Sequence, residues 1–181
     1  MLVLLDRDGV INEDRADFVK SPNELVFIEA ALQTIADLKA ARHIVAIVTN
    51  QSCIGRGLIT MDTLDAIHGK LHQALASKGT AIDHIFIAPD APWAATPMRK
   101  PGPGMILAAL SKFRERPENT VFIGDSMTDL QAAKAASVHR ILVQTGKGLK
   151  TQATGIGADL LPVSIARDLP EAASYIANGR L

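Results

Sequence analysis

The chain begins with the apolar run Met1-Leu2-Val3-Leu4-Leu5, which leads directly into Asp6-Arg7-Asp8-Gly9-Val10-Ile11-Asn12. The apolar residues have the length of a short buried strand. Two carboxylates two residues apart at the end of such a strand do little for stability. A catalytic role explains them better, because one carboxylate can attack a phosphorus atom while the other moves a proton, provided that a cation keeps both ionised.

Working outward, short β-rich runs alternate with longer segments of helical period. Such strand–helix–strand units require right-handed crossovers and a sheet covered on both faces. The sequence therefore predicts an α/β fold, a three-layer, doubly wound and mostly parallel sheet. The predicted strands are residues 2–5, 44–48, 82–88, 120–123 and 140–144, with a late strand near 159–163. The predicted helices are residues 30–41, 61–77 with Thr60 as N-cap, 103–114, 128–136 and 169–177.

Size and composition restrict the class of protein. The 181 residues, 48% hydrophobic and 21% charged, are those of an ordinary globular protein, and we expect a single domain over residues 1–181. A net charge of zero argues against a nucleic-acid partner. The single cysteine, Cys53, excludes an internal disulfide and a zinc site of several cysteines. With no signal peptide or membrane span in the sequence, a cytoplasmic location and no membrane partner are expected.

Polar motifs follow four of the predicted strands. They are Asp6 and Asp8 after the first, Thr49-Asn50-Gln51-Ser52 after the second, Arg99-Lys100 late in the connection after the third, and Gly124-Asp125-Ser126 after the fourth. Ligands of doubly wound sheets bind at the carboxyl ends of the strands, where the strand order reverses. We therefore expect these motifs to converge on one edge of the sheet.

Together these residues could hydrolyse a phosphate monoester. Asp6 could attack phosphorus to give an aspartyl-phosphate, and Asp8 could act as general acid and base. Thr49, Asn50 and Lys100 could surround the transferring group, whose negative charge requires donors and cations. Asp6, the backbone of Asp8 and Asp125 could hold one Mg²⁺, which prefers a few carboxylates plus water and substrate oxygens.

Each motif also has an ordinary structural interpretation. A lone Asp-x-Asp-Gly is usually a turn, Thr-Asn after a strand is usually a turn or a helix cap, and Lys100 before Pro101 is usually a solvated loop cation. Gly124-Asp125 could be a plain strand–helix junction. Taken one at a time, these interpretations are the more probable. It is much less probable that four ordinary turns carry complementary catalytic residues after successive strands. The four motifs together therefore favour catalysis.

The four motifs resemble those of the haloacid dehalogenase-like phosphatases, and their spelling is closest to the branch of histidinol phosphatases and heptose-bisphosphate phosphatases. The resemblance runs from residue 2 to about 150. It implies a phosphatase with the fold of that family and no large cap domain. It further implies that Asp6 is the nucleophile, that Asp8 is the acid/base, and that Thr49 and Lys100 steady the phosphoryl group. The implied Mg²⁺ ligands are Asp6, Asp8 and Asp125.

The same resemblance implies the residues that bind substrate. Arg99 matches a residue that recognises substrate, and Asp129 matches an acid that supports the lysine or the metal. The full implied set of substrate-binding residues is Asp14, Arg15, Ala16, Asp17, Asn50, Gln51, Ser52, Arg56, Arg99 and Ser126. The implied partner is a small phosphorylated sugar, with loss of the 7-phosphate of heptose 1,7-bisphosphate as the leading reaction. The same chemistry on histidinol phosphate or another small sugar phosphate is the alternative.

One loop departs from the family pattern. Many members of the branch hold zinc with three cysteines and a histidine on the loop before Arg99-Lys100-Pro101, whereas residues 88–98 here contain neither residue type. No zinc is therefore expected, and the loop should be held by proline stiffness and packing. Trp93 is a candidate anchor, and contact between Trp93 and the sugar is the less favoured alternative. The changed loop leaves the exact substrate open, and the residues give neither the anomer nor the oligomeric state.

Four further residues have ordinary interpretations that are favoured over functional ones. His68 and His72 lie one helical turn apart, but without a third ligand we expect them on a helix surface or edge rather than at a metal. Cys53 is expected to be a buried filler rather than a reactive thiol. Lys147 and Lys150 are expected to be solvated loop lysines, although they could attract a second phosphate.

A function of a different class also fits part of the pattern. A signalling or binding module could carry a phosphorylated aspartate as a switch on a similar sheet. Asp8 argues against it, because a general acid/base beside the nucleophile would shorten the life of the signal.

Overall fold

The computed structural model describes residues 1–180 and contains one open sheet whose six strands all run parallel. The strands are β1 (Leu2–Leu5), β2 (Ile44–Asn50), β3 (His84–Ala88), β4 (Thr120–Gly124), β5 (His139–Val143) and β6 (Ser164–Ala166). Their order across the sheet is β3-β2-β1-β4-β5-β6. This order confirms the predicted doubly wound α/β fold.

Helices cover both faces of the sheet. They are α1 (Ala31–Ala40), α2 (Ser52–Gly55), α3 (Met61–Ala76), α4 (Gly104–Phe113), α5 (Met127–Ala135), α6 (Gly148–Ala153) and α7 (Leu169–Ala177). Alternate residues of β1 enter different cores. Val3 packs with apolar residues of α1, α3 and α7, whereas Leu4 packs with those of α4 and α5. The period of two along a strand thus produces the three layers.

The strand order reverses at β1, which lies between β2 and β4. The last residue of β1, Leu5, pairs with Ile47 of β2 and with Ile123 of β4. The backbone N–H of Asp6 then donates to the carbonyl of Ile123 at 2.9 Å. Asp6 therefore leaves the sheet at the switch point, which is where ligands of such sheets bind.

Most predicted elements form within two residues of their expected bounds. Thr60 is the N-cap of α3, as predicted, and its side chain accepts from the N–H of Thr63 at 3.2 Å. The prediction for the last strand is wrong, because residues 158–160 form a 3₁₀ turn and β6 begins at Ser164. Pro162 lacks the N–H that a ladder needs, so the strand starts beyond it.

Two short helices, α2 and α6, are missing from the sequence-based assignment. The four residues of α2 are too few to show a helical period. The six of α6 include only one large apolar residue, Leu149, and it is exposed. Both helices begin just after a strand end, so they add side chains to the edge of the sheet where the motifs lie.

The connections on which larger relatives of the family carry cap domains are short here. Within residues 1–180, the connection from β1 to α1 contains one 3₁₀ turn, Pro22–Glu24, and the connection from β3 to α4 contains another, Pro92–Ala94. The expected absence of a large cap therefore fits the described part of the chain. No helix among these residues is long and apolar enough to cross a membrane.

Candidate active site

Asp6 is fixed at the switch point by contacts to both of its carboxylate oxygens. Oδ1 accepts from the backbone N–H of Arg7 at 2.7 Å, and Oδ2 lies 2.9 Å from Nζ of Lys100. Burial raises the pKa of Asp6 to about 8, with Asp129, Asp125 and Asp8 adding to the rise and Lys100 opposing it. An anionic Asp6 therefore depends on cations close to it.

Lys100 is the fixed cation of this site, and its side chain is only 3% exposed. Its Nζ lies 2.6 Å from Oδ1 of Asp129 and donates to the carbonyl of Val48 at 3.1 Å. Burial opposes the charge, but Asp129 and Asp6 outweigh it and raise the pKa of Lys100 well above its usual value. The backbone N–H and C=O of Lys100 both pair with the Asn50 amide at 3.0 Å. The lysine is thus held by the end of β2.

Asp129 connects Lys100 to the start of α5. Its Oδ2 accepts from the backbone N–H groups of Asp125 at 3.2 Å and Ser126 at 2.9 Å, and from the Ser126 hydroxyl at 2.6 Å. The carboxylate therefore pairs with Lys100 and also satisfies N–H groups at the helix start. Of the two roles that the sequence suggested for Asp129, support of the lysine or of the metal, these contacts favour support of the lysine.

The carboxylates of Asp6, Asp125 and Asp129 could hold a metal ion, because each offers an oxygen within 4.8 Å of the others. Burial and the charge of Asp129 raise the pKa of Asp125 to about 7. The raised pKa values of Asp6 and Asp125 suit a hard divalent cation, which would favour the ionised forms of both carboxyl groups. Asp125 is oriented by the backbone N–H of Lys147, which donates to its Oδ2 at 2.7 Å.

Two glycines leave room for the Asp125 carboxylate. A Cβ atom on Gly9 would lie 2.0 Å from Oδ2 of Asp125, and one on Gly146 would lie 2.2 Å from the same atom. Both glycines also have positive φ values, +81° for Gly9 and +56° for Gly146. The loops after β1 and β5 therefore approach Asp125 as closely as they do because neither position carries a side chain.

Asp8 lies in different surroundings from Asp6. Arg7 donates to both oxygens of Asp8 at 2.9 and 3.0 Å, and the amides of Asn12 and Gln51 donate to one oxygen each at 2.9 Å. Burial disfavours the charge on Asp8, but the charge of Arg7 and these hydrogen bonds outweigh it and lower the pKa of Asp8. The carboxylate is oriented by three donors and is still partly exposed.

These carboxylates lie in a cavity of about 550 Å³ at the end of the sheet. Most of the residues predicted for the site line it, which confirms that the four motifs converge. The predicted residues in its wall are Asp6, Asp8, Asp14, Arg15, Ala16, Asn50, Gln51, Ser52, Arg99, Lys100, Asp125 and Ser126.

Three predicted residues are not part of the cavity wall. Thr49 is buried, and its hydroxyl accepts from the Gln51 amide at 2.9 Å. Asp17 points into solvent and pairs with Arg15 and Lys20. Arg56 lies over the rings of Phe18 and Trp93, at 5.7 and 5.1 Å from their centroids. Thr49 is thus placed to orient Gln51, and Arg56 to connect two loops outside the cavity.

Other residues of the wall are not among the predicted site residues. Arg7 lies between the two motif acids in the sequence, and its role becomes visible only from its buried ion pair with Asp8. Lys147 is solvated, as expected, and its Nζ also pairs with Asp14 at 3.0 Å. The Gly-Lys-Gly sequence after β5 was the available signal for it. The remaining unpredicted wall residues are Phe18, Val19, Met127, Thr128, Lys150, Thr151 and Thr154.

The loop between β3 and Lys100 is held differently from the expectation. Trp93 does not anchor it, because 72% of this side chain is exposed. The loop is instead closed by Asp90, whose Oδ2 accepts from the N–H of Thr96 at 2.8 Å and from its hydroxyl. Gly55 attaches the start of the loop, donating from its N–H to the carbonyl of Pro89 at 2.9 Å. Backbone and carboxylate hydrogen bonds thus replace the expected packing of the tryptophan.

The surface placement expected for His68 is wrong, whereas the burial expected for Cys53 is confirmed. His68 is 5% exposed, and its Nε2 lies 3.3 Å from Nη1 of Arg7. Because arginine can only donate, Nε2 accepts and the imidazole is neutral. Burial, followed by the charges of Arg7 and His72, lowers the pKa of His68 to about 4 against a smaller opposing effect of Asp8. Arg7 is therefore held between Asp8 and a histidine of α3.

Comparisons with known proteins agree with this geometry. The sequence model of the HAD-hydrolase-like family (HAD, haloacid dehalogenase) matches residues 97–172. The chain is 46% identical over 154 residues to the D-glycero-beta-D-manno-heptose-1,7-bisphosphate 7-phosphatase of Bordetella bronchiseptica, covering 85% of this chain and 86% of the relative. It is 40% identical over 172 residues to the enzyme of that name from Pseudomonas putida, covering 93% and 98%.

Solved structures give the same result. The fold superposes with a TM-score of 0.93 on D,D-heptose 1,7-bisphosphate phosphatase from B. bronchiseptica, a crystal structure complexed with magnesium and phosphate. That chain is 41% identical, and 98% of each chain is covered. The D,D-heptose 1,7-bisphosphate phosphatase of Burkholderia thailandensis superposes with a TM-score of 0.74 at 38% identity, covering 97% of each chain.

Proposed function

The chain belongs to the heptose-1,7-bisphosphate 7-phosphatases among the haloacid dehalogenase-like phosphatases, and we propose that it removes the 7-phosphate of D-glycero-D-manno-heptose 1,7-bisphosphate through an aspartyl-phosphate on Asp6. The observation that carries the mechanism is the Asp6 carboxylate, which is held by Lys100 and the Arg7 backbone at the cavity. A fixed carboxylate there can meet a phosphorus atom in line with its leaving group.

In the first step, an oxygen of Asp6 forms a bond to phosphorus while the bond from phosphorus to the sugar oxygen breaks. Protonated Asp8 gives its proton to the departing sugar oxygen, so that the products are the sugar alcohol, the Asp8 carboxylate and the aspartyl-phosphate. Lys100 stays beside Asp6 and offsets negative charge that develops on the transferring group.

In the second step, water attacks the phosphorus of the aspartyl-phosphate. Asp8 takes the proton from that water, the Asp6–phosphorus bond breaks, and free Asp6 and inorganic phosphate result. The three donors around Asp8, from Arg7, Asn12 and Gln51, fix the direction of its carboxylate during both transfers. One carboxylate can therefore serve as acid and then as base without a change of residue.

The residues fit a Mg²⁺ ion, and we propose Asp6, Asp125 and the backbone carbonyl of Asp8 as its protein ligands. The clustering of the carboxylates, the raised pKa values of Asp6 and Asp125, and the two glycines around Asp125 support this choice. When bound, Mg²⁺ supplies charge neutralisation and a Lewis acid toward phosphoryl oxygens. Because Asp129 already pairs with Lys100 and the start of α5, we leave it out of the ligand set.

The proposed substrate is supported by the named relatives and by the chemistry of the cavity. Its wall combines carboxylates deep in the site with Arg15, Arg99 and Lys147 nearer solvent. Such a wall can accommodate one phosphate at Asp6 and polar or anionic groups of a small sugar beyond it. Thr49, expected to steady the phosphoryl group, and Asp17 and Arg56, expected to bind substrate, lie outside the wall, so we leave them out of the proposed contacts.

A panel of phosphate monoesters ranked by kcat/KM tests the proposed substrate. It should contain both anomers of the heptose 1,7-bisphosphate, histidinol phosphate and a simple aryl phosphate, assayed with Mg²⁺. We expect one heptose bisphosphate anomer to lead the series, with release of the 7-phosphate only. A higher kcat/KM for histidinol phosphate, or release of the 1-phosphate, would contradict the proposal. An Asp6→Asn sample prepared in parallel controls for contaminating phosphatases.

A further inference from the structure

We propose that Asp90 is a positioning residue for substrate binding, which acts by holding Arg99 at the cavity wall. The inference rests on the proposed function, because it takes Arg99 as a residue that contacts substrate. Asp90 itself is not part of the wall, whereas Arg99 is. Its influence must therefore pass through the loop between them.

Asp90 and Arg99 belong to one hydrogen-bonded ring. The Asp90 carboxylate accepts from the N–H and the hydroxyl of Thr96, and the carbonyl of Thr96 accepts from the N–H of Arg99 at 3.1 Å. The guanidinium of Arg99 closes the ring, since its Nη1 donates to the carbonyl of Asp90 at 3.1 Å. Asp90 therefore fixes both the backbone and the side chain of Arg99.

The ring leaves part of the guanidinium available. Within residues 1–180, the Arg99 side chain donates one hydrogen bond, to the carbonyl of Asp90. The other N–H groups of the guanidinium can therefore bind a ligand. Arg99 is half-buried, and burial followed by the charge of Arg56 lowers the pKa of its guanidinium. A partly desolvated guanidinium in the cavity wall favours an anionic or strongly polar group of the substrate.

The effect of the ring should be one of preorganisation. A free arginine side chain loses rotamer freedom when it binds, and a side chain that is already fixed does not lose it again. Both contacts of the Asp90 carboxylate are exposed to solvent. We therefore expect a change in KM rather than loss of turnover, since within residues 1–180 the ring makes no hydrogen bond to the side chains of Asp6, Asp8 or Lys100.

Steady-state kinetics of Asp90→Ala on the preferred heptose bisphosphate test the inference. We expect KM to rise about 3- to 10-fold, the range given by the ordering cost of one long side chain, with kcat within about twofold of the wild-type value. Asp90→Asn keeps an acceptor oxygen for Thr96, so its KM should lie much closer to the wild-type value than that of Asp90→Ala. Asp37→Ala is the matched control, because it removes an equal charge from an exposed position on α1.

A double-mutant cycle with Arg99→Ala separates positioning from a general effect on the loop. If Asp90 acts through Arg99, Asp90→Ala should add nothing to KM in the Arg99→Ala background. Additive effects of the two changes, or a fall in kcat for Asp90→Ala, would overturn the inference. Failure of the proposed function would look different, because wild-type protein would then prefer another monoester. The same cycle on that monoester would still decide the role of Asp90.

Discussion

Asp6 and Asp8 are separated by one residue but lie in opposite electrostatic surroundings. Asp6 is buried beside Asp125 and Asp129 with Lys100 as its cation, and its pKa is raised. Asp8 is surrounded by Arg7, Asn12 and Gln51, and its pKa is lowered. The side chain of the intervening Arg7 points to Asp8, whereas Asp6 accepts only from the backbone N–H of Arg7. Two identical side chains thus acquire different properties from their neighbours. The proposed roles need the reverse order of pKa values, an ionised Asp6 and an Asp8 that holds a proton. A cation bound at Asp6 would lower the pKa of that carboxyl, and the negative charge of the substrate phosphate would raise that of Asp8.

The buried His68 gives a prediction at this scale about stability and pH. Its pKa is 6.5 when unperturbed and about 4 in the fold, so the unfolded chain binds more protons between these values. The stabilisation by neutral His68 is present above pH 6.5 and is lost as the pH falls toward 4. When the pH is lowered from 7 to 4.5, the free energy of unfolding should therefore fall by about 2 kcal/mol less in His68→Gln than in the wild type.

Urea unfolding of both proteins at several pH values checks this prediction. Glutamine keeps an acceptor for Arg7 but cannot be protonated, so the comparison isolates the imidazole. His72→Gln is the control, since His72 lies one turn away on the exposed side of α3. Equal losses of unfolding free energy in wild type and His68→Gln would show that His68 does not stay neutral in the fold.

At the scale of elements, the site depends on the close approach of three loops. The connections after β1, β4 and β5 meet at Asp125, whose carboxylate fits between Gly9 and Gly146. The hydroxyl of Thr145 adds a direct bond to the carbonyl of Gly9 at 2.6 Å. Strand order alone brings these loops to one edge, but the absence of two side chains lets them touch.

Gly9→Ala should therefore abolish activity through the position of Asp125. The new Cβ would lie 2.0 Å from Oδ2, so the carboxylate must move. We expect kcat/KM to fall by at least about 10²-fold, in the range caused by small displacements of catalytic groups. Mg²⁺ affinity, measured by calorimetry, should fall as well.

Gly79→Ala is the matched control for that experiment. Gly79 has a similar φ of +69°, but an added Cβ there has no atom within 4 Å. It should cost about 1 kcal/mol of stability from backbone strain and leave kcat/KM unchanged. If both substitutions had equal effects on activity, strain rather than the space around Asp125 would be responsible.

At the scale of the whole molecule, the sequence was sufficient for the sheet and for most of the site. Strand–helix alternation predicted the three layers, and the motifs after β1, β2 and β4 marked the switch point. Side-chain partners across the fold could not be read in the same way. The sequence predicted His68 at a helix surface or edge, and only the tertiary structure shows that it is buried against Arg7. Likewise, a tryptophan in a proline-rich loop suggested burial, whereas Asp90 holds that loop.

Metal dependence is the corresponding prediction for the whole molecule. Removal of divalent ions with a chelator should abolish turnover, and Mg²⁺ should restore it without zinc. At about 100 times its Kd, Mg²⁺ should add about 2.7 kcal/mol to the free energy of unfolding. For a chain of this size, that corresponds to a rise in Tm of roughly 5–10 °C.

Calorimetry with and without Mg²⁺ measures the shift, and Asp125→Asn is the control that should lose most of it. The chain should refold after chelation without added zinc, because residues 88–98 offer no cysteine or histidine. A requirement for zinc in refolding would contradict our account of that loop. If activity required Mg²⁺ but Tm did not change when Mg²⁺ was added, the carboxylate cluster would not be the metal site.

The central claim is that Asp6 carries the phosphoryl group during turnover, and trapping that intermediate tests it most directly. Protein is mixed with the heptose bisphosphate, quenched in acid and reduced with borohydride, which converts phosphoaspartate to homoserine. Trypsin should cleave after Arg7 and so separate Asp6, in residues 1–7, from Asp8, in residues 8–15. We predict homoserine at position 6, and none in Asp6→Asn. Homoserine at position 8, or rapid turnover with no modified residue, would contradict the account.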